Sequence, residues 1–225
     1  MEGHNMPINQ TFQDFVNLMF DTEETVWSST TVINSDSIKL AKDIPEGDNY
    51  FSPNPVKGTR SNDNVVSYHT LFAENDDLSI KEQRDLITPH KDKISAIVFS
   101  GNKSYHVFIR LETPLSTKDE WLKYQKKLTL LLNGDPSRSG SSSAMRLPFA
   151  LRVDTNRQQT LVHFGTRQPT SAIMEYLDQH IPDNQVNLAT PKAFKEYDLN
   201  LTVEQRTKLE ILASNPLIRK IIEEG

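Results

Sequence analysis

The sequence predicts an α+β fold built on a split βαβ sheet, preceded by an N-terminal α/β module and followed by a short helical tail. Three observations carry this. Tyr68 to Leu111 reads as strand, helix, strand, tight turn, strand, which is the front of a split βαβ unit. Ser79 stands three residues before Glu82, and Thr117 before Glu120. Both are spacings at which side chains satisfy the free amides of a helix start. Apolar strand-length runs recur at 94–99 and 160–164. The 225 residues allow one large domain with a small appendage.

In chain order, Phe12, Phe15, Val16, Met19 and Phe20 share one helical face. Trp27 to Ile33 has the character of a strand. Residues 44–64 are rich in Pro, Asn, Asp, Gly and Ser and read as loop around a short strand at Tyr50-Phe51-Ser52. Lys57 and Arg60 lie in that loop, where the plain reading is a pair of solvated charges. Tyr68 to Ala73 is apolar and ends in the acidic run Glu74-Asn75-Asp76-Asp77. The helix after Ser79 is expected to stop near Pro89. Ile94 to Phe99 is a buried strand, Gly101-Asn102 a hairpin turn, and Tyr105 to Leu111 the returning strand.

A second helix follows Thr117, with Trp121, Tyr124, Leu128, Leu131 and Leu132 as its buried stripe and Asn133-Gly134 as its stop. Lys123, Lys126 and Lys127 read as its solvated face. Phe149 to Val153 and Thr160 to Phe164 are expected as closing strands, Ile173 to His180 as a helix, and Ile181 to Lys192 as a polar linker. A last helix opens at Thr202 and reads as the start of a further helical region. The expected division is a catalytic domain over 1–190 and a linker with that helical start over 191–225.

Composition narrows the function. There is no Cys, which excludes disulfide staples and thiolate metal sites and fits a reducing, cytoplasmic setting. No apolar run reaches the ~20 residues of a membrane span. The net charge is −5, so the chain is not a basic coat protein. Charge is uneven, however: residues 121–170 hold eight Lys and Arg against Asp135 and Asp154. A basic segment beside an acidic run suits a polyanionic ligand held next to metal ions.

Side chains two apart on a strand share a face. Glu74 therefore points with Asp76, and Ser104 with His106. In a split βαβ unit the first and third strands are adjacent, antiparallel and central, so the two pairs converge. Taken singly, an acidic run is more often a solvated strand end, and a lone His a satisfied structural residue. Convergence favours a site.

The ordered set Glu74-x-Asp76, Ser104-x-His106, an isolated Asp135 and Met145-Arg146-Leu147-Pro148 resembles the archaeo-eukaryotic primase superfamily, in its phage and plasmid primase-polymerase branch. The resemblance covers residues 50–165 best. Glu74 departs from the more frequent Asp, and Phe149 stands where Gly is common. The resemblance implies an RRM-like catalytic sheet and a DNA primase-polymerase that joins NTPs or dNTPs on a single-stranded DNA template. A fused or associated helicase is a further partner it allows. It implies two Mg²⁺ or Mn²⁺ ions on Glu74, Asp76 and Asp135, with Lys103, Ser104, His106 and Arg146 on the nucleotide. Three carboxylates suit such hard cations. Two ions about 4 Å apart can activate an attacking 3′ oxygen and stabilise departing pyrophosphate. The rival readings are a non-catalytic single-stranded nucleic-acid-binding module and, less well supported, a rolling-circle nickase, whose H-x-H motif does not occur here.

Overall fold

The computed structural model describes residues 10–34, 36–152 and 154–188. The expected linker beyond 188 and the tail helix from Thr202 lie outside them. The elements are α1 (Phe12–Met19), β1 (Thr25–Ser29), β2 (Ile38–Leu40), β3 (Tyr50–Phe51), β4 (Tyr68–Glu74), α2 (Ile80–Ile87), β5 (Ala96–Phe99), β6 (Tyr105–Leu115), α3 (Lys118–Leu131), β7 (Met145–Arg146), β8 (Leu151–Arg152), β9 (Arg157–Gln158), β10 (Thr160–Phe164), α4 (Thr170–His180) and α5 (Asp183–Leu188). The fold is mixed α and β, as expected.

Two antiparallel sheets form the body. The first has the order β2-β1-β3-β7 and the second β10-β5-β6-β4, while β8 and β9 make a separate ribbon. The sheets share one core. Phe15 of α1 and Phe51 of β3 pack on Phe108 of β6, with ring centroids 6.1 and 5.4 Å from it. The apolar face of α1 is buried as its periodicity requires. Its last carbonyls are capped by distant arginines: Arg110 donates to Met19 O at 2.7 Å and Arg167 to Leu18 O at 3.0 Å. Cations suit that negative end of a helix dipole.

The expected neighbours β4 and β6 do pair, with Glu74 opposite His106. But β4 is an edge strand rather than a central one, because the fourth strand, β10, joins β5 on the far side. The free edge of β4 is already occupied by side chains. Asn54 Oδ1 accepts from the amides of His69 and Thr70, and Trp121 Nε1 donates to Thr70 O at 2.9 Å. Gln125 acts as a surrogate peptide, accepting from Phe72 N at 3.1 Å and donating to Phe72 O at 2.6 Å. Backbone groups so satisfied have no ladder position left to offer.

Other expectations shift. The strand expected over 27–33 stops at Ser29; beyond it Val32 is 43% and Ile33 89% exposed. Residues 183–188 form α5 instead of continuing a linker. Lys127 is not on a solvated face: its side chain is buried, and its ammonium meets Asp178 at 2.5 Å and Asp183 at 2.6 Å, joining α3 to α4 and α5. Phe149 is no strand residue but takes φ +72°, its amide bonded to Gln159 O at 2.7 Å.

Candidate active site

β4 delivers Glu74 and β6 delivers His106 as directly paired residues. Glu74 Oε2 lies 3.0 Å from His106 Nε2, and its Oε1 lies 3.4 Å from Arg138 Nε. Burial, reinforced by Asp76 and Asp135, raises the Glu74 carboxyl to about pH 7, against the opposing pull of Arg138 and Arg146. Burial, with Arg146, Arg138 and Arg152 close by, pushes His106 far down, to about 3. Burial thus favours the neutral form of both groups, a protonated carboxyl beside a neutral imidazole. His106 Nδ1 is buried with no hydrogen-bond partner among the described residues.

Asp135 reaches this point through its backbone. Its amide donates to Glu74 O at 2.7 Å, filling the last outward carbonyl of β4. Gly134, just before it, passes so close that a Cβ there would sit 3.2 Å from Glu74 O. The Asp135 carboxylate caps the following turn, accepting from Ser137 N at 2.9 Å and Ser137 Oγ at 2.8 Å. The rest of the acidic run forms a turn: Asn75 Oδ1 accepts from the amides of Asp77 and Leu78. Asp76 points back to Lys103, at 3.4 Å.

Glu74, Asp76, Lys103, Ser104, His106 and Arg146 line one cavity of about 260 Å³. Six of the seven sequence candidates are therefore brought together; Asp135 is beside Glu74 but does not line the cavity. Ser104 lines it while spending its hydroxyl on Ser100 Oγ at 3.2 Å. Asp77 is not among the lining residues.

The cavity also holds residues the sequence did not single out: Tyr50, Arg138 and Arg152. Arg146 of β7 pairs with Tyr50 of β3, its guanidinium 4.1 Å above the ring. Arg152 is fixed by two 2.7 Å bonds to Asp154. The uneven charge of residues 121–170 was the available signal for these arginines, but charge density does not say which of them face inward. Arg60 is no solvated loop charge either. It lies 4.3 Å over the Trp27 ring and donates to Val32 O at 2.9 Å and Ser142 O at 3.4 Å. It thereby ties together two loops at the cavity rim, which contribute Val32 and Ala144 to the lining.

Among the described residues, no three His, Asp or Glu side chains are close enough together to hold a metal ion. The donor set nonetheless suits a hard divalent cation. Burial, and after it Asp76 and Asp135, raises Glu74 against Arg138 and Arg146, and a cation beside it would favour the ionised carboxylate. Each carboxylate at present has a protein partner that an ion would replace.

No protein-family profile and no curated protein matches the sequence. Solved structures do. The archaeo-eukaryotic primase domain of the cyanophage S-2L primase-polymerase is similar with a TM-score of 0.58 at 19% identity, over 74% of this chain and 96% of that one. The catalytic domain of primase RepB′, solved in complex with initiator DNA, gives 0.51 at 16% identity, over 79% and 98%. A further structure of primase RepB′ gives 0.51 at 15%, over 90% and 67%. The chain has the fold of these primase and primase-polymerase catalytic domains, the fold that the resemblance of its motifs implied.

Proposed function

We propose that this primase fold serves as a DNA primase-polymerase, a template-directed nucleotidyltransferase that joins NTPs or dNTPs along single-stranded DNA during phage or plasmid replication in the host cytoplasm. A single observation carries the reading: a carboxylate cluster at the end of β4 faces an arginine-rich wall across one cavity. Metal and triphosphate need those two surfaces side by side. Glu74, Asp76 and Asp135 would hold two Mg²⁺ or Mn²⁺ ions, which when bound supply Lewis-acid activation of the attacking oxygen and charge neutralisation at the leaving group.

The chain's own residues do the rest. Arg146, Arg138 and Arg152 present planar forks that grip phosphate oxygens in pairs. The Tyr50 ring and the Asp154 carboxylate hold two of those forks in place before the nucleotide arrives. Lys103 adds a point charge at the hairpin. His106, kept neutral, donates or accepts a hydrogen bond without adding charge. Its buried position against Glu74 makes it a contact for the triphosphate rather than a ligand for an oxygen-seeking ion.

The test is incorporation of dNTPs on a primed single-stranded template, with Mn²⁺ or Mg²⁺ against EDTA. Incorporation is expected only with metal. Asp76→Ala or Asp135→Ala should lower it by about 10²-fold or more, with the unfolding midpoint preserved. Metal-independent binding of single-stranded DNA with no incorporation would instead favour a non-catalytic binding module.

A further inference from the structure

We propose that a groove on the opposite face of the second sheet binds a nucleoside phosphate, either free or as one unit of a passing single strand. The nucleoside half of this assignment rests on the polymerase reading; the anion half does not.

Alternation along the strands separates the two faces. Val98 and Glu74 pair with His106, so they share its face; Tyr105 and Ile97 point the other way. On that other face a cavity of about 300 Å³ opens between α2 and β10, sharing no lining residue with the catalytic cavity. That size is at the lower end for small-ligand sites and suits a single nucleotide. Its floor is Ile97, Tyr105 and Val162, and its rim carries Arg84, Lys91 and His163.

Among the described residues, no ion pair neutralises the cations of this rim. The acidic residues nearby are engaged elsewhere: Asp85 with Lys81 at 2.6 Å, Asp92 with Lys93 at 2.7 Å, and Glu82 with the Ser79 hydroxyl at 2.6 Å. Arg84 and Lys91 have no ion-pair partner among the described residues. His163 Nε2 is engaged by Ile94 O at 3.0 Å, and burial with Lys91 close by holds the ring below its ordinary pKa, so it adds a neutral polar edge. Two free cations over an aromatic and aliphatic floor match an anionic group joined to a flat apolar body. Stacking on Tyr105 would be tolerant of base identity.

The experiment is run in EDTA, where the catalytic carboxylates hold no ion. Binding of fluorescein-labelled oligo(dT) is followed by anisotropy across a salt series, and binding of dAMP by calorimetry. Arg84→Ala with Lys91→Ala should weaken oligo(dT) binding and reduce the log–log salt slope by about 1.4, at roughly 0.7 per phosphate contact. Tyr105→Leu should weaken it about fivefold or more with the slope unchanged. Loss for dAMP as well identifies a free nucleotide as the occupant; loss for oligo(dT) alone identifies a strand. Unchanged binding of both ligands in both variants overturns the proposal. Thermal midpoints are compared throughout, and Arg84→Gln with Lys91→Gln replaces the alanine pair if its midpoint falls. If the wild-type chain incorporates no nucleotide yet these losses occur, the groove stands and the polymerase reading falls.

Discussion

His69 shows how a single residue sets a dependence of stability on pH. Its side chain is fully enclosed, 3.3 Å from Glu24, and burial lowers its pKa to about 4, with Arg110 and Arg167 adding to the effect. The folded protein therefore keeps it neutral, while the unfolded chain protonates it near 6.5. Between those values the unfolded state binds the extra proton, so stability is complete above pH 6.5 and declines as pH falls toward 4. From pH 7.5 to 5 the loss from this group should be about 2 kcal/mol. Urea unfolding across that range should give a correspondingly shallower profile for His69→Asn; parallel profiles would show that His69 is not the titrating group. At this scale the sequence was readable where chemistry repeats in a motif and unreadable where burial decides. Glu74 and His106 could be placed because strand alternation fixes their facing. Nothing local distinguishes Lys127, which is enclosed, from Lys126, which is exposed. Arg60 was likewise unreadable, since its partner Trp27 is far away in sequence.

Among the elements, β4 illustrates a strand whose edge is closed without another strand. Helix caps, the 101–102 turn and the buried stripes of α1 and α3 were legible, because each depends on residues within a turn or two. Strand order was not. The last strand, β10, joins β5 rather than β4, and the edge of β4 is filled by Gln125, a polar residue in the middle of an apolar helix face, which satisfies both Phe72 backbone groups. Gln125→Leu would fill the same space and leave a buried donor and acceptor without partners. The expected cost is about 2–4 kcal/mol in equilibrium unfolding. Gln125→Glu keeps both functions while its acid stays protonated, the O–H donating to Phe72 O and the carbonyl accepting from Phe72 N, and should cost less. A loss below about 0.5 kcal/mol for Gln125→Leu would mean that water or a shifted α3 satisfies that edge.

For the molecule as a whole, the candidate-site cavity is a seam between two sheets. Tyr50 and Arg146 come from one, Glu74 and His106 from the other, and the Phe51–Phe108 contact behind them locks the relative position. One shared core predicts one unfolding event. The chain has two tryptophans: Trp27 on β1 reports on the first sheet and Trp121 on α3 reports on the second. In each single-tryptophan variant, fluorescence and far-UV circular dichroism should give one midpoint. Separate midpoints would mean that the sheets unfold independently. Phe51→Ala should cost about 3–5 kcal/mol.

The strand β7 closes the first sheet from a position nearly one hundred residues after β3, its partner. A polypeptide leaving the ribosome can form α1, β1, β2 and β3 early, and β4 to β6 soon after. It cannot seat Arg146 against Tyr50 until residue 146 has emerged, nor bring Asp135 to Glu74 before α3 has docked. A nascent chain that has emerged only as far as residue 135 thus carries the three carboxylates without Arg138, Arg146 and Arg152. Synthesis itself orders the appearance of the two halves of the site, and any product broken off before Met145 is expected to lack the proposed nucleotide-incorporating activity whatever else of it has folded.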